Sequence, residues 1–378
     1  MRVLHVISDE NIGGAGVLLT SLLRNFDRSS IESVVALPQN SALTARIGSD
    51  AGRIIPLLHR VDRVSPRAVR ELKKLIEAVS PDIIHTNAAL SARIAARLCH
   101  IPILHTRHCT FPIGGMLRFP PIRILSGVGN RMLSDKVIAT SESAKENLIV
   151  LGMHPNRIHV IINGSEPIRE LTSEEKEHAY RRWGISSTDF TVGICARLVR
   201  CKGHRTFLRA ARLLCDVAPL LPFRFLIVGE GEERAALEKQ VRDLRLTDRV
   251  IFTGFVEDMA SIYRILRVNV NCSTGTETSC LALSEGMSAG VPCVASDFGG
   301  NPDMIGDSLA GFVYPANDSV MLAKLILKIA TDGELETRMR RAAYERYLEK
   351  YTAHAMAEAV FALYRSIIDE KNKQKSFP

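Results

Sequence analysis

What most constrains this chain is an alternation, run through twice, of short apolar stretches with amphipathic helical ones. In the first half "VLHVIS" (3–8), "SVVAL" (33–37), "DIIHT" (82–86), "PILHT" (102–106), "KVIAT" (136–140) and "IHVII" (158–162) read as strands. In the second half "FTVGIC" (190–195), "FRFLIVG" (223–229), "VIFTG" (250–254), "RVNVN" (267–271) and "PCVAS" (292–296) do the same. Helical stretches such as "PRAVRELKKLIEAVS" and "EERAALEKQVRDLRL" separate them. Apolar strands joined by crossover helices build parallel sheets, so the fold class is α/β. The series breaks near 163–185, where "NGSEP" precedes the polar stretch "LTSEEKEHAYRRWG". Two doubly wound domains follow, 1–170 and 171–352, with ligands expected beyond the carboxyl ends of their strands. After about residue 317 only helices are expected. The last, "AHAMAEAVFALYRSII", is apolar on one face and suited to crossing back, so about 353–378 is assigned to the first domain.

A chain of 378 residues is long for one core, in keeping with two domains. Its 46% apolar and 24% charged residues are those of a folded protein. Eight scattered cysteines without a C-x-x-C pair argue for reduced thiols in the cytoplasm. "MRVLHVISDE" begins directly as a strand, without the pattern of a signal peptide, and no apolar run reaches the span of a membrane. The net charge of +8 is lopsided: residues 1–170 hold 21 Lys and Arg against 14 Asp and Glu, the remainder 28 against 27. That asymmetry suits an anionic partner for the first domain, or chance placement of solvated side chains. Nucleic acid fits poorly, since no basic run is interleaved with aromatics and there is a single Trp.

Chemistry concentrates in "GTETSCLALSEGMSAGVPCVAS" (275–296), which sets Glu277 and Glu285 around small and apolar residues. Ser279 reads as a helix N-cap, so a helix is expected from Cys280. Its free amides, around Ser279, Cys280 and Leu281, would face an anion. Glu285 would lie about 8 Å along it, at about 1.5 Å per residue. A nucleoside diphosphate sugar has this layout, with Glu277 at the sugar, the helix end at the phosphates and Glu285 at the ribose. The alternative is two surface glutamates. "CARLVRCKGH" (195–204) follows a strand directly and places Arg197 and Lys202 at its carboxyl end. Two cations there could neutralise a diphosphate leaving group, or simply be solvated. No Asp-x-Asp occurs, so protein cations stand in for a metal and no cofactor is expected.

The Glu277–Glu285 spacing, "ARLVRCKG", "FLIVGEGEER" (225–234), "IFTGFVEDM" (251–259) and "IINGSEP" (161–167) occur together in an order that resembles the retaining glycosyltransferases of family 4. The resemblance covers nearly the whole chain. It implies the GT-B fold of two Rossmann-like domains facing a cleft, an acceptor-binding first domain and a donor-binding second one. It further implies same-face hexosyl transfer, with the leaving phosphate assisting deprotonation of the acceptor and domain closure excluding water. The donor would be a nucleotide sugar, UDP-linked, and the acceptor a glycan or a lipid-linked glycan in cell-surface polysaccharide or lipopolysaccharide synthesis. By the same resemblance "NIGGAG" (11–16) is the glycine-rich loop, with Gly13 on the acceptor side and Gly14 and Gly16 at the donor. His108, ending "PILHTRH", is by the same resemblance the catalytic cleft histidine, touching the donor sugar or the transferring centre. His85 and Ser141 rank lower on the acceptor side, while Gly229, Glu230 and Val256 border the donor. Two departures stand out: Thr278-Ser279 after Glu277, where relatives often have Gly-Phe or Gly-Leu, and Asp303 in "GGNPDMI" where Glu is usual. A GT-B epimerase acting on the donor alone is the rival reading. An NAD-dependent oxidoreductase is a weaker one, because "NIGGAG" lacks G-x-G-x-x-G spacing.

The stretch "FPIGGMLRFPPIRILSGVGNRML" (111–133) mixes Arg118, Arg123 and Arg131 with apolar residues and has no acid. It suits a surface lying on an anionic leaflet, or a helix packed on its sheet. With lipid-linked acceptors implied, the first is expected, at the cytoplasmic face of the membrane.

Overall fold

A computed structural model of the chain describes residues 1–10, 13–108, 119–275, 277–306 and 309–376. It divides into two units, Met1–Gly164 with Ala353–Pro378, and Ser165–Thr352. The boundary falls at 164/165 rather than 170, because Ser165 is already bridged to Thr352 and its amide donates to the Tyr351 carbonyl.

The first unit holds seven strands: β1 Arg2–Ile7, β2 Glu32–Pro38, β3 Arg53–Leu57, β4 Ile83–Asn87, β5 Ile103–Arg107, β6 Lys136–Ala139 and β7 Ile158–Val160. All are parallel, in the order β3-β2-β1-β4-β5-β6-β7. The second unit holds β8 Phe190–Cys195, β9 Phe223–Val228, β10 Val250–Gly254, β11 Val268–Asn271, β12 Cys293–Ser296 and β13 Gly311–Tyr314. These are parallel too, ordered β10-β9-β8-β11-β12-β13. Each order reverses beside its first strand, between β1 and β4 and between β8 and β11. In open α/β sheets ligands bind outside the carboxyl ends at such a reversal.

Two strands lie outside the expected set, β3 and β13. Pro56 within "RIIPL" argues against a strand, yet β3 is an edge strand, where a missing N–H costs no ladder bond. β13 is a four-residue edge strand with no run long enough to stand out.

Central strands are buried on both faces, as helical cover on each side of a parallel sheet demands. Phe190, Phe207, Phe223 and Phe225 pack ring to ring in the second core, each burial contributing about 2–3 kcal/mol. The helix Ser173–Trp183 opens this unit behind a Thr172/Glu175 capping box and stops at Gly184 in the left-handed conformation. The C-terminal helix Ala353–Ser376 packs on the first unit as expected. Its Tyr364 is fully buried against His5, His85 and Phe26, and its Glu370 pairs with Lys136 at 2.9 Å.

Candidate active site

Both reversal points carry buried polar residues, where a strand of this class is otherwise apolar. In the second unit they gather beyond β8 and β11. β8 runs into the loop bearing exposed Arg197 and then a 3-10 turn, Arg200–Lys202. Gly203 closes that turn at φ +69°, with a β-carbon's position only 2.0 Å from the Cys272 carbonyl, so no other residue fits. Gly229, at φ +136°, likewise presses on the Ala196 carbonyl and lets β9 seat the Arg197 loop. The Thr274 amide donates to the Cys201 carbonyl at 2.8 Å and ties the loops after β8 and β11 together.

This brings Lys202 and Glu277, 75 positions apart, into an ion pair: Nζ donates to Oε2 at 2.6 Å. Ser273 Oγ donates to the same oxygen at 2.7 Å and Asn271 Nδ2 at 3.4 Å. Glu277 is 6% exposed. Burial alone would push its carboxyl up. The Lys202 ammonium and the bonds from Lys202, Ser273 and Asn271 outweigh it and hold the group below the ordinary carboxylate range. Burial opposes the charge on Lys202 as well, and the neighbouring carboxylate overrides it, raising that pKa. Both groups are therefore ionised. A buried ion pair adds little net stability over apolar packing, so its presence beyond two strand ends points to use. All these donors meet Oε2; among the described residues none donates to Oε1, which can accept from a ligand hydroxyl.

The helix beside the pair begins one residue later than expected, at Leu281, with Cys280 rather than Ser279 as its N-cap. Thr278 and Ser279 are buried in the connection. The Cys280 thiol, pushed up to about 12 by burial, accepts from Asn271 Nδ2 at 2.8 Å and is no nucleophile. Glu285, one helical turn on and half-buried, accepts from Tyr263 Oη at 3.0 Å. Val256 is buried just past β10, beside a Phe255 that is 67% exposed. Glu230 is exposed and pairs with Arg234 at 2.7 Å, a surface bridge of small worth. Asp303 is exposed in the first turn of the helix Asn301–Ile305.

In the first unit Gly13 caps the helix Gly14–Asn25 beyond β1. Gly14 is exposed, with open space where a side chain would be, whereas Gly16 is accounted for by packing on Leu43. His108, just past β5, donates from Nε2 to Asn87 Oδ1 at 2.7 Å, and burial lowers its pKa to about 4, leaving a neutral imidazole. Asn87 ends β4. Two expected acceptor-side residues have protein partners for their polar atoms. His85 is 3% exposed, with Nδ1 2.6 Å from Tyr364 Oη and Nε2 2.7 Å from Thr106 Oγ1. Ser141 caps the helix Glu142–Val150 through Ala144 N at 3.1 Å. A cavity of about 30 Å³, room for one or two waters, opens among His85, Asn87, His108, Leu22, Met356 and Val360.

The sequence reading missed Asn87, Asn271, Ser273 and Asn301, which carry no charge. A signal was present: Asn269 and Asn271 alternate in "VNVN", on one face of a strand that must be buried. Among the described residues no three His, Cys, Asp or Glu side chains gather as a metal site would.

The chain as a whole has known relatives. Residues 12–168 match the family model for Glycosyltransferase Family 4, and residues 175–346 that for Glycosyl transferases group 1. A 2-deoxystreptamine glucosyltransferase of Streptomyces kanamyceticus is 26% identical over 321 residues, 80% of this chain and 82% of its own. The UDP-Gal:alpha-D-GlcNAc-diphosphoundecaprenol alpha-1,3-galactosyltransferase of Escherichia coli is 26% identical over 281 residues, 71% of each. Among solved structures, Anabaena HepE in complex with UDP-glucose superposes at a TM-score of 0.83 with 21% identity, over 97% of this chain and all of its own. The two parallel sheets are thus those of the GT-B fold, and the chain belongs to the glycosyltransferases of family 4.

Proposed function

We propose that the protein is a retaining hexosyltransferase that needs no metal and moves a sugar from a UDP-sugar to a glycan or lipid-linked acceptor, in cell-surface polysaccharide assembly at the cytoplasmic face of the membrane. The observation that carries this reading is the ion pair of half-buried Lys202 with buried Glu277 beyond β11, with Glu277 Oε1 left for a ligand. Oε1 accepts from a donor-sugar hydroxyl. Lys202, Arg197 and the first amides of the helix Leu281–Ser288 stabilise charge growing on the diphosphate, and Glu285 takes the ribose hydroxyls. As the bond from the anomeric carbon to the phosphate oxygen breaks, the acceptor oxygen bonds to the same face of that carbon. Its proton passes to the departing diphosphate. Neutral His108, in the first unit, is the proposed catalytic histidine, assigned to the donor sugar or the transferring centre. The names of relatives support the donor and acceptor classes, one carrying a UDP-sugar donor and a lipid diphosphate acceptor, another solved with UDP-glucose.

A panel of nucleotide sugars, each with and without a crude lipid-linked acceptor and with and without excess chelator, tests this reading. The expected result is transfer from a UDP-sugar at a rate the chelator leaves within about twofold. Conversion of the donor to its epimer without acceptor would favour the epimerase. Loss in chelator that Mg²⁺ or Mn²⁺ restores would refute protein-cation catalysis.

The helix Pro120–Met132 supports the membrane location. Gly127 faces inward, its missing side chain allowing contact with Gly152, where a β-carbon would sit 2.5 Å from the carbonyl. Ile122, Leu125 and Met132 are exposed and centre about 170° round the helix from Gly127. Arg93, Arg97 and Arg157 donate to the carbonyls of its last turn, and no acid occurs between Cys99 and Ser134. Arg118 and residues 111–117 lie outside the described residues; Arg123 and Arg131 are half-buried. Among the described residues no helix is long and apolar enough to cross a membrane. The exposed stripe, with half-buried Arg97 and exposed Arg157 at its C-terminal end, suits the interface of an anionic bilayer at about 1 kcal/mol per solvent-accessible basic residue. Co-sedimentation with phosphatidylglycerol vesicles at low salt is expected, weakened by 0.5 M salt and at least about fivefold by Leu125→Asp. Equal, negligible binding to phosphatidylglycerol and phosphatidylcholine vesicles would remove the membrane claim.

A further inference from the structure

The uncharged groups beneath Glu277 form one chain whose direction a single backbone amide fixes. Ser273 N donates to Asn271 Oδ1 at 2.8 Å, which settles which end of that side-chain amide is oxygen. Its two Nδ2 hydrogens then meet two acceptors, Glu277 Oε2 and Cys280 Sγ. Asn301 must in turn present Nδ2 to Asn271 Oδ1, at 3.3 Å, and gives its second hydrogen to Ser296 Oγ at 3.2 Å. Ser296 completes the chain by donating to the Ser273 carbonyl at 2.6 Å. Asn271 is 7% exposed, Asn301 and Ser296 not at all. Asn301 Oδ1 has no partner among the described residues, but turning Asn271 or Asn301 over would set oxygen against oxygen and leave a buried donor unpaired.

A carboxylate's last torsion is soft, and an ammonium alone would serve either oxygen equally well. Lys202 therefore supplies charge with little orientation, whereas the Asn271 amide, fixed by the chain, and the Ser273 hydroxyl set the plane of the carboxylate. We infer that Asn271 is a positioning residue of the transfer reaction, holding Glu277 so that Oε2 faces the protein and Oε1 the sugar. Through Cys280 it also ties that carboxylate to the start of the helix assigned to the donor phosphates. The inference rests on the transferase reading above.

The test compares Asn271→Ala and Asn271→Asp with wild type, using the nucleotide sugar that wild type turns over fastest. For Asn271→Ala, kcat is expected to fall at least about tenfold while the donor KM stays within about threefold. The acid limb of the kcat profile should move to higher pH, because a donor holding Glu277 ionised is gone. Asn271→Asp, with a like charge beside Glu277, should move it further. UDP affinity, read by calorimetry, should remain within about threefold in both. A lower melting temperature with wild-type kcat and a wild-type acid limb would overturn the inference and leave the transferase reading intact. Should neither Asn271 variant fold, Asn301→Ser, which loosens the chain from its far end, is expected to move the limb the same way by less; an unmoved limb overturns it too. Failure of wild type to transfer from any nucleotide sugar would instead count against the transferase reading itself.

Discussion

Lys202→Met and Glu277→Gln are each expected to lower turnover by about two to three orders of magnitude in a protein that still folds. Lys202 is a half-buried cation at the proposed donor phosphates, and Glu277 the buried carboxylate that keeps, among the described residues, an oxygen for the sugar. The single variants carry a confounding cost, since removing one partner strands the other charge and destabilises by about 3–5 kcal/mol. The double variant Lys202→Met/Glu277→Gln separates the two effects. With neither charge left, its melting temperature should recover most of what Lys202→Met loses, and its turnover should not recover. Thermal melts and initial rates on the three proteins decide this. Turnover that tracks stability would reduce the pair to a structural feature.

Acid is expected to unfold the first unit before the second, with a midpoint near pH 5. Burial lowers the pKa of His5 to about 3 and of His108 to about 4, and holds His85 and His105 well below the ordinary value. These folded-state values lie below the unfolded value of about 6.5, so below that pH the unfolded chain binds protons that the folded unit refuses. Stability is complete above about pH 6.5 and falls as pH drops toward the folded values. One pKa unit is worth about 1.36 kcal/mol, so His5 and His108 alone remove about 6 kcal/mol by pH 4, against a total of about 5–15. The second unit holds one such histidine, His204, lowered to about 4 by burial. Its Glu277 carboxyl is depressed, so that contribution persists until pH falls below the ordinary carboxylate value of about 4.3. The single Trp, Trp183, lies in the second unit and reports on it alone. Far-UV circular dichroism should therefore fall before Trp fluorescence changes. One coincident transition, or a fully folded chain at pH 4, would contradict the expectation.

Much of the architecture is legible in the chain because doubly covered strands must be apolar and crossover helices must be amphipathic, so both periods stand out. What escapes is what breaks those rules for a local reason. Pro56 hides β3 because an edge position forgives it, and β13 is too short to show a pattern. Lys202 and Glu277 are legible because charges flanking apolar strands have few structural uses. Asn271 and Asn301 are not, since their role exists only once β11, β12 and the helix Asn301–Ile305 converge on one buried point. His85 shows the converse. A histidine at a strand end invites a functional assignment, and only the fold reveals that Tyr364, 279 positions away, and Thr106 take up both ring nitrogens.

Calorimetric titration of UDP into wild type, Lys202→Met and Glu277→Gln tests the central claim most directly, because UDP carries the diphosphate without the sugar. The account predicts binding to wild type, at least about tenfold weaker binding to Lys202→Met, and near wild-type affinity for Glu277→Gln, whose partner group is absent from the ligand. No binding of millimolar UDP to wild type, or equal affinity in wild type and Lys202→Met, would contradict it.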